Sequence, residues 1–223
     1  MGLEVPDRAL THLLLIALGY VLGSLPWGYW LPRLLVGVDI RALGSGNAGA
    51  TNVWRTLGFK LGLAVALLDI AKGAAAALLG RWLGHDLIGV LAGVAAMVGH
   101  WRPLFMGFAR GGKTVATTGG VALAVALFPA LAAAGTWIAV FLATRYASVA
   151  SLAGALALPA FAVLFGASWP VLAFTIGAAG AIVLLHRTNI ARLLAGEEHR
   201  IALRRRRPAP LGPSGAPLHS KRV

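Results

Sequence analysis

The chain has 223 residues, 58% of them hydrophobic and only 12% charged, and a mean hydropathy of +0.79; soluble domains carry about 25% charged residues, so an ordinary water-soluble fold is excluded. A net charge of +13 in so apolar a chain suits anionic lipid or phosphorylated substrates better than nucleic acid. With no cysteine, thiolate catalysis, disulfides and Cys-based metal sites are excluded as well.

The first apolar run, Leu10 to Leu35, is too long for a signal-peptide core and follows Glu4, Asp7 and a single Arg8 rather than a basic leader, so it reads as a retained span. Gly19, Gly23, Pro26, Gly28 and Pro32 predict a kink in it, where neighbouring helices must satisfy freed carbonyls. Further runs extend from about Leu57 to Leu79, Leu87 to Val98, Val115 to Phe128, Leu131 to Ala143, Val149 to Phe165 and Val171 to Leu185. The expected fold is therefore an all-α integral membrane protein of seven transmembrane helices. Several runs are shorter than a full crossing, and Pro129 is a candidate break or kink.

Seven crossings sort the basic residues into two sets. One holds Arg33, Arg41, Arg55, Lys60, Arg102, Arg110, Lys113, Arg145 and all nine from Arg187 onward; the other holds Arg8 and Arg81. Because Lys and Arg are retained inside during insertion, the N-terminus is expected outside and the C-terminus in the cytoplasm. Residues 1–203 are expected to form the seven-span domain. Residues 204–223 open with four consecutive Arg and continue rich in Pro, Gly and Ser, the composition of a disordered basic cytoplasmic tail.

The outer loops are short and chemically thin, whereas each inner loop carries polar residues and cations. The first reads G-S-G-N-A-G-A-T-N from Gly44 to Asn52, with Arg55 following. Its glycines let successive N–H groups turn inward as an anion-binding nest, Ser45, Asn47, Thr51 and Asn52 add neutral donors, and Thr51 or Asn52 is a candidate helix cap. It is neither a Walker loop nor a dinucleotide fingerprint. The second inner loop runs G-H-W-R-P-L-F from Gly99 to Phe105 and G-G-K-T-V-A-T from Gly111 to Thr117. There the Lys113 ammonium and the start of the next helix can act on one anion, while His100 reads as an interfacial or packing histidine. The third inner loop offers Arg145, Ser148 and Ser151. In the fourth, His186 and Asn189 share a face at the spacing of three if the segment is helical. Asp69 and Lys72, inside a span, have the same spacing and are read as a neutralised pair fastening their helix to the kinked first one. The acidic residues are too scattered for a carboxylate-rich metal site.

Together these motifs resemble the bacterial acyl-phosphate:glycerol-3-phosphate acyltransferases of the PlsY type, small seven-span enzymes of phospholipid synthesis. The resemblance is carried by Gly44 to Asn52, by Gly99 to Thr117, by T-R-Y-x-S-x-x-S at Thr144 to Ser151 and by His186 to Glu197, with D-x-x-K-G at Asp69 to Gly73 in support. Two positions depart from it: Thr114 stands where a further glycine is usual, and Arg102 where an aromatic or aliphatic residue is common. The resemblance implies transfer of a fatty acyl group from acyl phosphate to the 1-hydroxyl of sn-glycerol 3-phosphate, giving lysophosphatidic acid and phosphate, at the cytoplasmic face of a bacterial inner membrane. No cofactor, metal or obligate protein partner is expected; the partners are the two substrates and bilayer lipid.

Neither His is followed by Asp at the H-x-x-x-x-D spacing, and no Ser has an evident His–Asp partner, so direct attack by the glycerol hydroxyl without an acyl-enzyme is expected. The expected catalytic set is Ser45, Asn47, Thr51, Asn52, Lys113 and His186; the expected substrate-binding set is Gly46, Gly49, Arg55, Gly111, Gly112, Arg145, Ser148, Ser151 and Asn189. Ser45, Asn47, Gly49, Thr51, Asn52 and Ser151 are assigned to the acyl-phosphate group and its carbonyl. Arg55, Lys113, His186 and Asn189 are assigned to glycerol 3-phosphate. A transporter predicts polar groups on both faces and often repeated halves, and a phosphatase usually needs paired His and Arg; both fit this sequence less well.

Overall fold

The computed structural model describes residues 8–202, so the expected basic tail lies outside the described residues. The chain is helical throughout this range: α1 (Arg8–Gly23), α2 (Trp27–Val36), α3 (Ala50–Leu57), α4 (Phe59–Leu83), α5 (Asp86–Trp101), α6 (Val115–Val125), α7 (Leu127–Thr144), α8 (Ala147–Leu164), α9 (Trp169–Leu185) and α10 (Arg187–Leu194), with 3₁₀ turns at Ile40–Ala42 and Leu104–Met106. Five segments are long and apolar enough to cross a membrane, and α9 with α10, bent by 57°, forms a sixth candidate. Large apolar side chains such as Leu14, Leu131, Ile176 and Leu184 face outward from the bundle, the reverse of a soluble fold.

Each of the seven apolar runs is helical, but α6 has 11 residues, about 16 Å of rise against a hydrocarbon core of about 30 Å. By length alone α6 does not cross. The chain breaks between α6 and α7 at Ala126, three residues before Pro129. Pro129 instead occupies the first turn of α7, where its missing N–H forfeits no helical bond.

The first run divides between Gly23 and Trp27, as its prolines predict. The carbonyl of Leu25, freed by the break, accepts a 2.7 Å hydrogen bond from Lys72 Nζ. Lys72 in turn pairs with Asp69 at 2.8 Å, both side chains being 2% exposed. The pair therefore does fasten α4 to the broken first helix. His100 joins it: its Nδ1 lies 2.9 Å from Lys72 Nζ, and the ring is buried rather than interfacial.

Helix α4 is the hub, packing against α1, α2, α3, α5 and α6, while α7, α8 and α9 form a second layer joined through α5 and α6. Small residues set the closest approaches. Gly19 and Gly23, four apart on α1, meet Ala92 and Ala96 of α5 so tightly that a Cβ at Gly23 would lie 2.0 Å from the Ala96 carbonyl oxygen. This is the small-xxx-small geometry by which helices pack where lipid supplies no hydrophobic drive between them. The gap between α4 with α6 and α7 with α8 is left partly unfilled.

Candidate active site

That gap is a cavity of about 730 Å³. Its lining gathers residues from all four polar loops, including Ser45, Arg55, Lys113, Ser148, His186 and Asn189. Away from the rim its lining changes character along each helix: Thr114, Thr118 and Ala122 on α6 and its N-terminus; Ser148, Ser151, Ala155 and Leu158 on α8; Ala133, Trp137 and Phe141 on α7. Ser148 to Leu158 spans ten helical steps, so the slot runs about 15 Å from polar mouth to apolar depth.

The glycine-rich loop is shaped by Gly44 and Gly46, both in the left-handed region at φ +57° and +68°. Neither Thr51 nor Asn52 caps α3; the cap position is Gly49, without a side-chain bond. Asn52 instead folds the loop. Its Nδ2 donates to the carbonyls of Ile40, Leu43 and Asn47, and its Oδ1 accepts from the Ser45 N–H at 3.0 Å. With its amide committed and 2% exposed, Asn52 lines the cavity as a positioning residue rather than a donor to a ligand. Asn47 reaches from this loop to the next, its Nδ2 donating to the Gly111 carbonyl at 3.3 Å. The hydroxyls of Ser45 and Thr51 make no hydrogen bond to another described residue and remain for a ligand.

Gly111 and Gly112 do not line the cavity, contrary to expectation. They let the second loop lie against His100: a Cβ on Gly112 would come 2.0 Å from His100 Nε2, while Gly112 N–H donates to the His100 carbonyl at 3.1 Å. Gly46 is likewise a turn residue outside the lining. Arg145 is exposed, caps α7 at φ +64°, and contributes its carbonyl to the N–H of Ile201 at 2.9 Å. These four expected binding residues shape the walls instead.

Lys113 projects into the mouth and donates to Asn189 Oδ1. Burial, followed by the charge of Arg192, and then of Arg110 and Arg55 against the opposing charge of Glu198, pulls its ammonium down to about 8. Arg55 also has its guanidinium drawn down, chiefly by burial, with Glu198 opposing and Arg192 adding to the shift, and its Nε is buried without a partner. Two desolvated, mutually repelling cations at one mouth constitute a site that gains from binding an anion. His186 sits at the bend between α9 and α10. Its Nδ1 lies 2.8 Å from the Ile182 carbonyl; a carbonyl can only accept, so Nδ1 carries the proton and Nε2 is left for a ligand.

Glu198 is the site residue that the sequence reading left without a role. Gly196, at φ +71°, reverses the chain after α10, and the Glu198 carboxylate then accepts from Ser148 Oγ (2.9 Å), Asn189 Nδ2 (2.7 Å) and Arg192 Nε (2.7 Å). Burial alone raises the carboxyl, but these hydrogen bonds together hold it below the usual carboxylate range. Ser148 and Asn189 therefore spend donors on Glu198, and Asn189 spends its oxygen on Lys113. Ser151 is committed as well: its hydroxyl donates to the Ala147 carbonyl at 2.7 Å and accepts from Trp137 Nε1 at 3.2 Å. The three, expected to bind substrate, all line the cavity, and their hydrogen bonds run to Lys113, Glu198 and the slot wall.

A bundle with an outward apolar surface and a cavity with a cationic mouth and an apolar depth defines an integral membrane protein with a site suited to an amphiphile bearing an anionic group. Comparison with known proteins makes the assignment specific: the family model for glycerol-3-phosphate acyltransferases matches residues 13–196, and the chain belongs to that family. It is 45% identical over 197 residues to the glycerol-3-phosphate acyltransferase of Desulforudis audaxviator (strain MP104C), covering 88% of this chain and 99% of that one. It is 47% identical over 192 residues to the enzyme of the same name from Synechococcus sp. (strain JA-2-3B'a(2-13)), covering 86% and 96%. Among solved structures, PlsY (YgiH), an integral membrane glycerol 3-phosphate acyltransferase, superposes in its glycerol 3-phosphate form with a TM-score of 0.82 at 40% identity, covering 86% of this chain and 96% of that one. Its lysophosphatidic acid form gives 0.79 at 40% identity.

Proposed function

We propose that this protein transfers a fatty acyl group from acyl phosphate to the 1-hydroxyl of sn-glycerol 3-phosphate, releasing lysophosphatidic acid and phosphate. One observation carries the reading: the cations Lys113 and Arg55 stand at the mouth of a slot whose depth is apolar, so a single cavity suits two phosphorylated reactants and one acyl chain. The two forms of PlsY, with glycerol 3-phosphate and with lysophosphatidic acid, support the acceptor and the product.

In this mechanism Arg55 and Lys113 neutralise the phosphate of glycerol 3-phosphate, and His186 Nε2 orients the glycerol end. Ser45 and Thr51 hydroxyls, with the glycine-rich backbone of Asn47 to Gly49, hold the acyl-phosphate group. The 1-hydroxyl oxygen attacks the acyl carbonyl carbon, the bond from that carbon to the phosphate oxygen breaks, and the hydroxyl proton passes to an oxygen of the departing phosphate. An acyl phosphate is an activated mixed anhydride, so proximity and charge neutralisation supply the catalysis, without a covalent acyl-enzyme. Asn52, Ser148, Ser151, Asn189 and Glu198 act by holding these groups.

The reading places seven crossings in a bacterial inner membrane, with the N-terminus outside, the cavity mouth on the cytoplasmic side and the basic tail beyond it. The test is phosphate release by the purified protein in lipid, given acyl phosphate with glycerol 3-phosphate added or withheld. Release only in the presence of glycerol 3-phosphate is the expected result; release that ignores it indicates a phosphatase.

A further inference from the structure

Among the described residues, five buried side-chain polar atoms lack a hydrogen-bond partner: Arg55 Nε, Asp69 Oδ1 and the hydroxyls of Thr114, Thr117 and Thr118. Thr117 lies outside the cavity lining, and the other two threonines belong to it, each only 3% exposed. An unsatisfied buried hydroxyl costs about 1–3 kcal/mol, so two together in one wall, both bordering the same cavity, mark a place where a ligand supplies the missing acceptor. Helix geometry supports this. Thr114 precedes α6 and Thr118 lies one turn along it, about 6 Å deeper; Ala122, one turn deeper again, belongs to the apolar slot. Lys113 stands directly before the pair. Thr114 also leaves the α6 N-terminus without a side-chain cap, so the first N–H groups of this 11-residue helix point toward the same region.

We propose that Thr118 is a catalytic residue whose hydroxyl donates to the acyl carbonyl oxygen, while Thr114, at a position where the family usually has glycine, only borders the site. The inference rests on the acyl-phosphate reading. An amphiphile whose phosphate meets the cationic mouth and whose chain runs past Ala122 has its carbonyl at the level between them, which is the level of Thr118. As the glycerol hydroxyl adds to the carbonyl carbon, negative charge grows on that oxygen, and a preorganised donor strengthens as it does so. The orphaned Thr118 hydroxyl is the cost the unliganded fold bears for this service.

Thr118→Val keeps the shape and removes the hydroxyl; Thr118→Ser keeps the hydroxyl. Thr114→Gly, which installs the residue usual in the family and suits the left-handed backbone at φ +62°, is the control. The full-length variants, purified in lipid, are assayed for acyl-phosphate-dependent turnover and for thermal midpoint with and without a saturated acyl phosphonate, which cannot transfer its chain. Thr118→Val is expected to lower kcat at least tenfold and to lose most of the stabilisation by the phosphonate. Its ligand-free midpoint should stay equal to or above that of the wild type, because an unsatisfied buried group has gone. Thr118→Ser and Thr114→Gly are each expected to retain turnover within about threefold. Turnover of Thr118→Val within twofold of wild type overturns the assignment alone, as does a lowered midpoint with Thr118→Ser equally inactive, which signals a structural role. No turnover of acyl phosphate by the wild type overturns the donor reading, and the assignment with it.

Discussion

Lys113 Nζ donates a hydrogen bond to Oδ1 of Asn189, 76 residues away, and so joins the loop before α6 to α10 across the mouth of the cavity. Asn189 turns its other end to Glu198, which also receives Ser148 and Arg192. The cation proposed to meet the substrate phosphate is thus held by an amide whose orientation a buried carboxylate fixes.

With the Lys113 ammonium drawn down to about 8 by burial and by neighbouring cations, activity is expected to be sensitive to mild alkali. Raising the pH through that value removes the ammonium from the free enzyme, whereas a bound phosphate restores it by pairing. Therefore kcat/KM for glycerol 3-phosphate should fall above pH about 8 while kcat at saturation falls later. Over the same window the substrate phosphate, with its second ionisation near about 6, stays dianionic. Lys113→Arg, where it retains activity, should abolish the fall, since guanidinium keeps its proton. Initial rates from pH 6.5 to 9.5 at varied glycerol 3-phosphate check this.

Neutralising either mouth cation should cost more than a surface charge does, because both are desolvated. Lys113→Ala and Arg55→Ala are each expected to lose about 2–4 kcal/mol of transition-state stabilisation, a drop in turnover efficiency of about 30-fold or more. Steady-state kinetics with folding checked by thermal midpoint measure it; near-wild-type values for both contradict their roles.

The buried pair behind the cavity yields a prediction about stability. Lys72→Met leaves Asp69 charged, 2% exposed and stripped of its cation, and leaves the Leu25 carbonyl with only the Trp27 N–H as donor. Removing one partner of a buried pair costs about 3–5 kcal/mol, so a marked fall in thermal midpoint in lipid or detergent is expected. The double variant Asp69→Leu with Lys72→Met should recover a substantial part of that fall, because no uncompensated charge then remains.

The sequence made the helical class, the break at Pro26 and the loops around Ser45, Lys113 and His186 legible, because each rests on a local rule: apolar run length, a missing proline donor, glycine beside cation. Asp69 and Lys72 were readable as a pair from their spacing alone. What escaped depended on distant chain segments meeting. Glu198 enters the site only because Gly196 turns the chain back beneath α10, and that glycine after a short amphipathic helix was the available signal. For His100 the sequence leaves interface and packing both open, and its contact with Lys72 and the close approach of Gly112 decide for packing. Asn52, Ser148, Ser151 and Asn189 have the chemistry of ligand donors, and only the fold reveals which backbone and carboxylate groups already use them. The length of α6 was overestimated because apolar character continues through Ala126, where the backbone turns.

The central claim is that one cavity holds both reactants at once and passes the acyl chain directly between them. Initial-rate kinetics over a matrix of acyl phosphate and glycerol 3-phosphate concentrations test it most directly, paired with exchange of labelled phosphate into acyl phosphate in the absence of glycerol 3-phosphate. Intersecting reciprocal plots and no exchange are the predicted result. Parallel plots with rapid exchange, the signature of an acyl-enzyme formed before the acceptor binds, would contradict it.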